Sequence, residues 1–246
     1  MNFRKVIVVT AMAVVVGSSG IIFPQQKAEA FNLSDIGGAL GGLLGGKMVN
    51  IDIDGLSNQQ NSMLQNLGNS AMLLESSSID VMSALQLHPE LVSQKQMALD
   101  NLRSDSTNLD FQRASVEGDI PSEDLRAAAK AVMDSGDQER IEALNSSIRM
   151  AENKRIAADI CMALAAKDAV GIIKTAIVGI QQGNDVDSLQ NLLSTAQAAK
   201  SIIDAQNHNI KTLNSALREY KAKQNIKAPK KSDVDVSAAL AGLQQE

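Results

Sequence analysis

The chain has 246 residues, with 28 acidic against 23 basic side chains and a formal net charge of −5 at pH 7. An acidic chain is poorly suited to phosphate backbones or anionic lipid surfaces, and the 2% aromatic content leaves little to stack on bases or sugar rings. These counts argue against nucleic-acid binding, and a single Cys excludes an internal disulfide.

The first thirty residues have the pattern of a secretory signal peptide. Arg4 and Lys5 precede an apolar run over residues 6–16, and residues 28–30 form a small-x-small cleavage site. We predict export to the periplasm or the medium after cleavage near Ala30, with an uncleaved membrane anchor as the alternative. Loss of this leader removes three basic residues and one acidic residue, which leaves 20 Lys and Arg against 27 Asp and Glu.

A glycine-rich segment and a short extended segment follow over residues 31–55. Glycines recur there at four-residue spacing, as in helices that pack closely in membranes, but the apolar part is too short to span a bilayer. We interpret the segment as a flexible tether. An oligomerising or membrane-touching segment is the alternative.

Residues 50–55 resemble the opening of an EF-hand calcium loop, with Asn50, Asp52 and Asp54 at alternate positions before Gly55. The closing position holds Asn61 where a calcium loop needs a bidentate Glu. A strand over residues 48–54 whose last residue, Asp54, caps the first helix explains the same residues. We predict no metal and no cofactor.

Helical periodicity dominates the rest of the chain. We predict a first helix over residues 56–87, broken before Pro89, and a second helix from there to about residue 117. A turn over residues 118–121 leads to a short helix that Ser122 caps and Gly136 ends.

The clearest pattern is a long helical hairpin over residues 138–224, with its turn at residues 183–185. A seven-residue repeat, as in coiled coils, runs along the second arm. Its two seam positions hold Leu189, Ala196, Ile203, Ile210, Leu217 and Leu192, Ala199, Gln206, Leu213, Tyr220. Arms of about 40 residues would reach roughly 60 Å.

The predicted fold is therefore an all-α, elongated antiparallel helical bundle built on this C-terminal hairpin, with short helices and the Gly-rich N-terminal segment before it. The bundle domain spans residues 56–226, and residues 227–246 form a flexible tail. Within that tail, the apolar residues 234–243 either dock as one more turn or stay mobile. Residues 156–180 are more apolar than a seam requires, so we expect the preceding helices to cover them.

Two polar residues interrupt the seam. Arg155 and Gln206 stand where an apolar residue would be more stable, and polar seam residues can fix register or partner choice. A symmetric turn would place Arg155 opposite residue 212, near Gln206 and Asn209. We expect Arg155→Leu to raise thermal stability and to blur pairing, unless the arginine extends along the bundle to solvent.

Cys161 lies beside the seam and is either a buried small hydrophobe or a thiol for an intermolecular disulfide. We expect both histidines, His88 and His208, at the surface.

No motif for catalysis or phosphate binding is present in the sequence, and Glu152 is interpreted as a solvated carboxylate. We therefore expect a non-enzymatic, exported bundle that acts through protein–protein interaction or self-association in the cell envelope. The alternatives are a membrane-active, pore-forming-like helical protein and a carrier that holds an apolar ligand between its helices, with Arg155 as an anchor.

Overall fold

Seven α-helices and one 3-10 turn make up most of residues 51–117 and 120–243, which are the residues described by a computed structural model. The helices are α1 (Ile53–Ala84), α2 (Pro89–Ser104), α3 (Leu109–Val116), α4 (Ser122–Ser135), α5 (Gln138–Gln181), α6 (Val186–Lys223) and α7 (Val236–Gly242), and the 3-10 turn is Lys231–Asp233. No β-strand occurs among these residues. The predicted all-α bundle on a C-terminal hairpin is confirmed. The predicted leader, the whole glycine-rich segment and residues 48–50, with Asn50 of the calcium-loop resemblance, lie outside the described residues.

The hairpin has the ends that the sequence predicts. Asp137 caps α5 by accepting a hydrogen bond from the Arg140 amide at 3.2 Å, and Asp185 caps α6 in the same way through the Ser188 amide. Between the arms, Gly183 has a left-handed φ of 72°, which glycine adopts without strain. Short polar caps and one glycine therefore fix where both arms begin.

The register of the hairpin is symmetric about this turn. Near the turn, a Cβ added to Gly179 would lie 2.6 Å from Leu189 Cδ1, so the Leu189 side chain packs directly on the Gly179 backbone. Near the open end, Asn145 Nδ2 lies 3.4 Å from Gln224 Oε1. In each contact the two residues lie at nearly equal numbers of residues from the turn.

Helix α1 supplies the predicted cover for the first arm. It makes its most extensive contact with α5, along most of its length. Ser62 Oγ donates a hydrogen bond to Asp168 Oδ2 at 3.0 Å, and Gln59 approaches Gly171 so closely that a Cβ there would lie 2.6 Å from its Nε2. The apolar middle of α5 is thus packed between α1 and α6.

The start of α1 corrects the second half of the strand predicted over residues 48–54, since the structure describes residues 51–54 of that stretch. Ile53 and Asp54 are helical, and the cap is Asp52, which accepts a hydrogen bond from the Gly55 amide at 2.9 Å. The alternation that suggested a strand is too short to compete with this cap. A similar shift occurs at α4, where Pro121 occupies the cap position and Ser122 is the first helical residue.

The predicted second helix is two helices, α2 and α3. Asp105 ends α2 because its carboxylate accepts hydrogen bonds from the amide and the hydroxyl of Thr107, at 3.0 and 2.7 Å. Asn108 then caps α3 through the Asp110 amide at 2.9 Å. These side chains offer the backbone an alternative to continued helix, although the turn contains no Gly or Pro.

The α2–α3 turn lies directly on α1. A Cβ added to Gly68 would lie only 1.9 Å from the carbonyl oxygen of Ser106. Gln65 Nε2 donates to Ser106 Oγ at 2.9 Å, and Gln112 Nε2 donates to the Ser106 carbonyl at 2.5 Å. Gly68 therefore permits a close contact that holds α2 and α3 against the bundle.

Apolar side chains form three clusters. One surrounds Leu144, Ile148 and Leu217 near the open end of the hairpin, and another surrounds Met63, Ile172 and Leu189 near the turn. The third includes Leu73, Ala157, Ala158, Cys161 and Leu243.

The third cluster corrects the predicted flexible tail. Leu243 is only 2% exposed, with Val236, Ala239 and Leu240 packed beside it, so the docked alternative for residues 234–243 is the one observed. Its apolar residues are too few for the sequence alone to locate the surface they cover.

Candidate functional site: a buried polar layer

A layer of buried polar side chains crosses the bundle between the two larger apolar clusters. It contains Ser70, Glu75, Ser76, Ser77 and Ser78 of α1, Lys95 of α2, Glu152 and Arg155 of α5, and Gln206 of α6. We call these residues the polar layer. Burial of such groups is costly unless each is hydrogen-bonded or paired, so their partners determine how the helices fit together.

Arg155 forms an ion pair inside the bundle. Its Nη1 lies 2.8 Å from Glu152 Oε1 and its Nη2 contacts Glu152 Oε2, so the pairing is bidentate. Arg155 is 5% exposed and Glu152 is 2% exposed. The guanidinium therefore does not extend to solvent.

Glu152 is shared by two cations. Lys221 Nζ of α6 lies 2.6 Å from Glu152 Oε1, on the carboxylate that Arg155 also contacts. The interpretation of Glu152 as a solvated carboxylate is wrong. The sequence did contain a signal for this pair. Glu152 and Arg155 are about one helical turn apart, and oppositely charged residues at this spacing commonly pair on one face of a helix.

Glu75 and Lys95 form a second buried pair, between α1 and α2. Lys95 Nζ lies 3.1 and 3.3 Å from the two carboxylate oxygens of Glu75. Burial raises the pKa of Glu75 above its ordinary value, while the charge of Lys95 opposes that rise. The pair was not predicted from the sequence. A signal was present, because Lys95 lies on the same helix face as the apolar Leu91 and Leu99, which indicates that its side chain is buried.

Gln206 joins α6 to α1 at the same level. Its Oε1 accepts a hydrogen bond from Ser70 Oγ at 2.8 Å, and its Nε2 lies 3.4 Å from the Leu67 carbonyl oxygen. The side chain is fully buried. A shift of α6 along α1 would break both hydrogen bonds, so Gln206 favours a single register.

A small cavity of about 20 Å³ lies within the polar layer, on a wall that includes Glu75, Lys95, Arg155, Gln206 and Asn209. The predicted proximity of Arg155 to Gln206 and Asn209 is thus confirmed. The volume suits about one water molecule, with polar groups on the wall to bind it. Sites for small organic ligands are larger, at roughly 300 to 1,000 Å³, so an apolar ligand would fit beside Arg155 in this cavity only if the surrounding helices moved apart.

Cys161 lies apart from the polar layer, in the third apolar cluster. It is a free cysteine and is 2% exposed. Burial raises the pKa of its thiol to about 11, so the unreactive protonated form dominates at neutral pH. A disulfide at Cys161 would first require the covering residues to move.

The two histidines differ in their surroundings. His208 is exposed. His88, in the left-handed region with a φ of 47°, has its Nε2 2.9 Å from Asp124 Oδ2 of α4 and its Nδ1 3.4 Å from Glu90. The hydrogen bond with Asp124 raises the pKa of His88 above 6.5. His88 therefore links α2 to α4 when it is protonated.

Neither a metal site nor a membrane span is found among residues 51–117 and 120–243. No three or more His, Cys, Asp or Glu side chains there are grouped so that they could hold a metal ion. No helix in this part of the chain combines the length and the apolar character that a membrane span requires.

An apolar row runs along α5 on the side of the helix where the exposed residues Asn153, Ala163 and Lys167 also lie. Ile156, Ile160 and Leu164 follow one another at four-residue intervals, which places them on one face of the helix. Leu164 is 47% exposed, and the two isoleucines are half-buried. We call these three residues the outer stripe.

Comparison of the chain with protein-family models, with curated proteins and with solved structures found no match. The fold and the site define an all-α helical bundle in which a layer of paired charges separates two apolar clusters.

Proposed function

We propose that this chain is an exported, non-enzymatic helical bundle that works by binding another protein or a second copy of itself in the cell envelope. The observation that carries the proposal is the outer stripe of α5. An apolar row on a helix face is the feature that a partner helix recognises through positions one helical turn apart.

The surroundings of the outer stripe support this proposal. Asn153 and Lys167, both exposed, flank the stripe along α5. An apolar centre with a polar rim is the usual anatomy of a protein interface, and exposed apolar patches commonly mark binding sites. Leu164 is the most exposed residue of the three, so it has the largest fraction of its surface left to bury on binding.

The polar layer supports the non-enzymatic part of the proposal. Glu152 and Arg155 are directed at each other inside the bundle, and Glu75 is paired with Lys95. Charged groups neutralised in this way hold helices in register and present no free acid, base or nucleophile to a substrate. The role that best accounts for them is to keep the outer surface in one fixed arrangement.

Light scattering after size-exclusion chromatography, together with pull-down from the envelope fraction, tests the proposal. We expect the mature chain to form a defined oligomer or to retain a specific partner. Leu164→Glu should abolish that association because it buries a charge at the interface. Gln190→Glu, an equal change of charge at an exposed position of α6, is the matched control and should leave association intact.

A strictly monomeric protein that retains no partner would contradict the proposal, as would a Leu164→Glu variant that associates like the wild type.

Dye release from liposomes distinguishes the proposed protein-binding function from the membrane-active alternative. We expect no leakage over a range of pH values and lipid compositions.

A further inference from the structure

The segment that follows α6 crosses α5 and ends on α1. We call residues 227–243 the strap; it contains Pro229, the 3-10 turn and α7. Asp235 caps α7 by accepting a hydrogen bond from the Ala238 amide at 3.1 Å. The strap has its own local structure and contributes side chains to only one of the three apolar clusters.

The strap covers a continuous apolar floor. Leu73 of α1 and Ala157, Ala158 and Cys161 of α5 are all almost completely buried, and the side chains that pack on this floor include Leu243 and Leu240 of the strap. An uncovered floor of this kind would be an exposed apolar patch, which soluble surfaces tolerate poorly. The groove between α1 and α5 therefore needs an occupant.

The strap is held by contacts near both of its ends. Leu243 is buried, and its carbonyl oxygen accepts a hydrogen bond from Arg103 Nη2 of α2. Lys231 Nζ lies 3.9 Å from Asp159 Oδ2, at the upper limit for an ion pair. The helix itself has seven residues, and isolated helices of this length are only marginally stable in water.

We propose that the strap is releasable, and that the groove over Cys161 also accepts the strap of a second copy of the chain, so that two copies exchange straps. This inference rests on the proposed function in its self-association form. The exchanged segment is identical, so every contact that forms within one chain can form between two chains at little cost. Residues 227–235, as a nine-residue connection, can extend across about 30 Å, which gives the strap the reach to enter a neighbouring groove.

Disulfide trapping between two different copies tests the exchange directly. One copy keeps Cys161 and the native strap. The other copy carries Cys161→Ala and Leu240→Cys. A disulfide between Cys161 of the first copy and the cysteine introduced by Leu240→Cys in the second shows that the strap of the second copy lies in the groove of the first. Ser237→Cys, on the exposed side of the same helix, replaces Leu240→Cys in the control. We expect a strong mixed product with Leu240→Cys and little with Ser237→Cys.

Thiol labelling of Cys161 tests release independently of dimer formation. We expect slow labelling in the wild type and an acceleration of about tenfold or more in Leu243→Ala, because loss of a buried leucine favours the undocked strap. Met97→Ala, which truncates a large apolar side chain at an exposed position of α2, should leave the labelling rate unchanged. A circular-dichroism melt of each variant shows whether the bundle remains folded.

The inference is overturned if Leu243→Ala labels no faster than the wild type, or if the mixed disulfide with Leu240→Cys does not exceed that with Ser237→Cys. If light scattering still shows association that Leu164→Glu abolishes, the proposed function stands without strap exchange. If the protein is monomeric and retains no partner, the proposed function and the inference both fail.

Discussion

Lys95 Nζ of α2 lies 3.1 Å from Glu75 Oε2 of α1, and the two side chains are only 8% and 5% exposed. Such a pair holds α2 against α1 at one position along the helix. Its stability depends on both charges being present, because each would be costly in the core without the other.

Removal of one member of this pair should destabilise the bundle far more than removal of both. We expect Lys95→Met to lower the free energy of unfolding by about 3 to 5 kcal/mol, since it leaves the Glu75 carboxylate buried and unpaired. The double variant Glu75→Leu with Lys95→Met should lie close to the wild type. Urea unfolding of the wild type, both single variants and the double variant checks this, and additive losses would contradict it.

Arg155→Leu should also destabilise the bundle, but by about 1 to 3 kcal/mol, because the buried Glu152 loses one cationic partner and keeps Lys221. This reverses the expectation from the sequence, which treated Arg155 as an isolated seam residue. Glu152→Leu with Arg155→Leu should recover most of the loss. If thermal melts show Arg155→Leu alone to be more stable than the wild type, the buried pair has no such role.

Gly68→Ala should weaken the contact between α1 and the α2–α3 turn. The new Cβ would lie 1.9 Å from the Ser106 carbonyl oxygen, and backbone must move to relieve that overlap. We expect a loss of about 1 to 3 kcal/mol in unfolding free energy. Gly242→Ala, where an added Cβ meets nothing within 4 Å, is the control and should be neutral or slightly stabilising.

The stability of the protein should depend on the protonation of His88. Its pKa is raised in the folded protein, so its contribution is fully present below pH 6.5 and is lost as the pH rises through the raised pKa. Thermal melts between pH 5.5 and 9 should show this decline in the wild type. His88→Asn should remove the decline, since Asn tolerates the left-handed backbone but does not titrate.

His208→Asn is the matched control for the pH series because His208 is exposed. It should keep the decline of the wild type. If thermal stability depends on pH in the same way in His88→Asn and His208→Asn, the pH dependence does not come from the His88–Asp124 contact.

The hairpin could be predicted from the sequence because its signals are local. The seven-residue repeat, Gly136 before the first arm and the turn at residues 183–185 are all signals read from short stretches of sequence. The symmetric register then placed Arg155 near Gln206 and Asn209 without any knowledge of α1. The break between α2 and α3 was missed because Asp105 and Asn108 end and cap helices through their side chains, which is a weaker signal than Gly or Pro.

The partners of the polar layer depend on contacts between elements distant in sequence. Lys95 reaches Glu75 only because α2 folds back on α1, and Ser70 meets Gln206 across 136 residues. Amphipathic periodicity shows which face of a helix is buried, but it does not show which helix covers that face. The docked strap was left open for the same reason, since nothing near Leu243 in the sequence identifies Leu73 or Cys161 as its floor.

Lysine-directed crosslinking mass spectrometry on the cells that produce this protein tests most directly whether it works by binding another protein or a second copy. Lys167 is exposed and lies one helical turn from Leu164, whereas Lys211 is exposed on α6. Mixing isotope-labelled and unlabelled protein identifies crosslinks that join two copies of the chain. We predict that Lys167 is crosslinked to another protein or to a second copy, and that Lys211 is not. Crosslinks of Lys167 that join only residues of its own chain would contradict the proposed function.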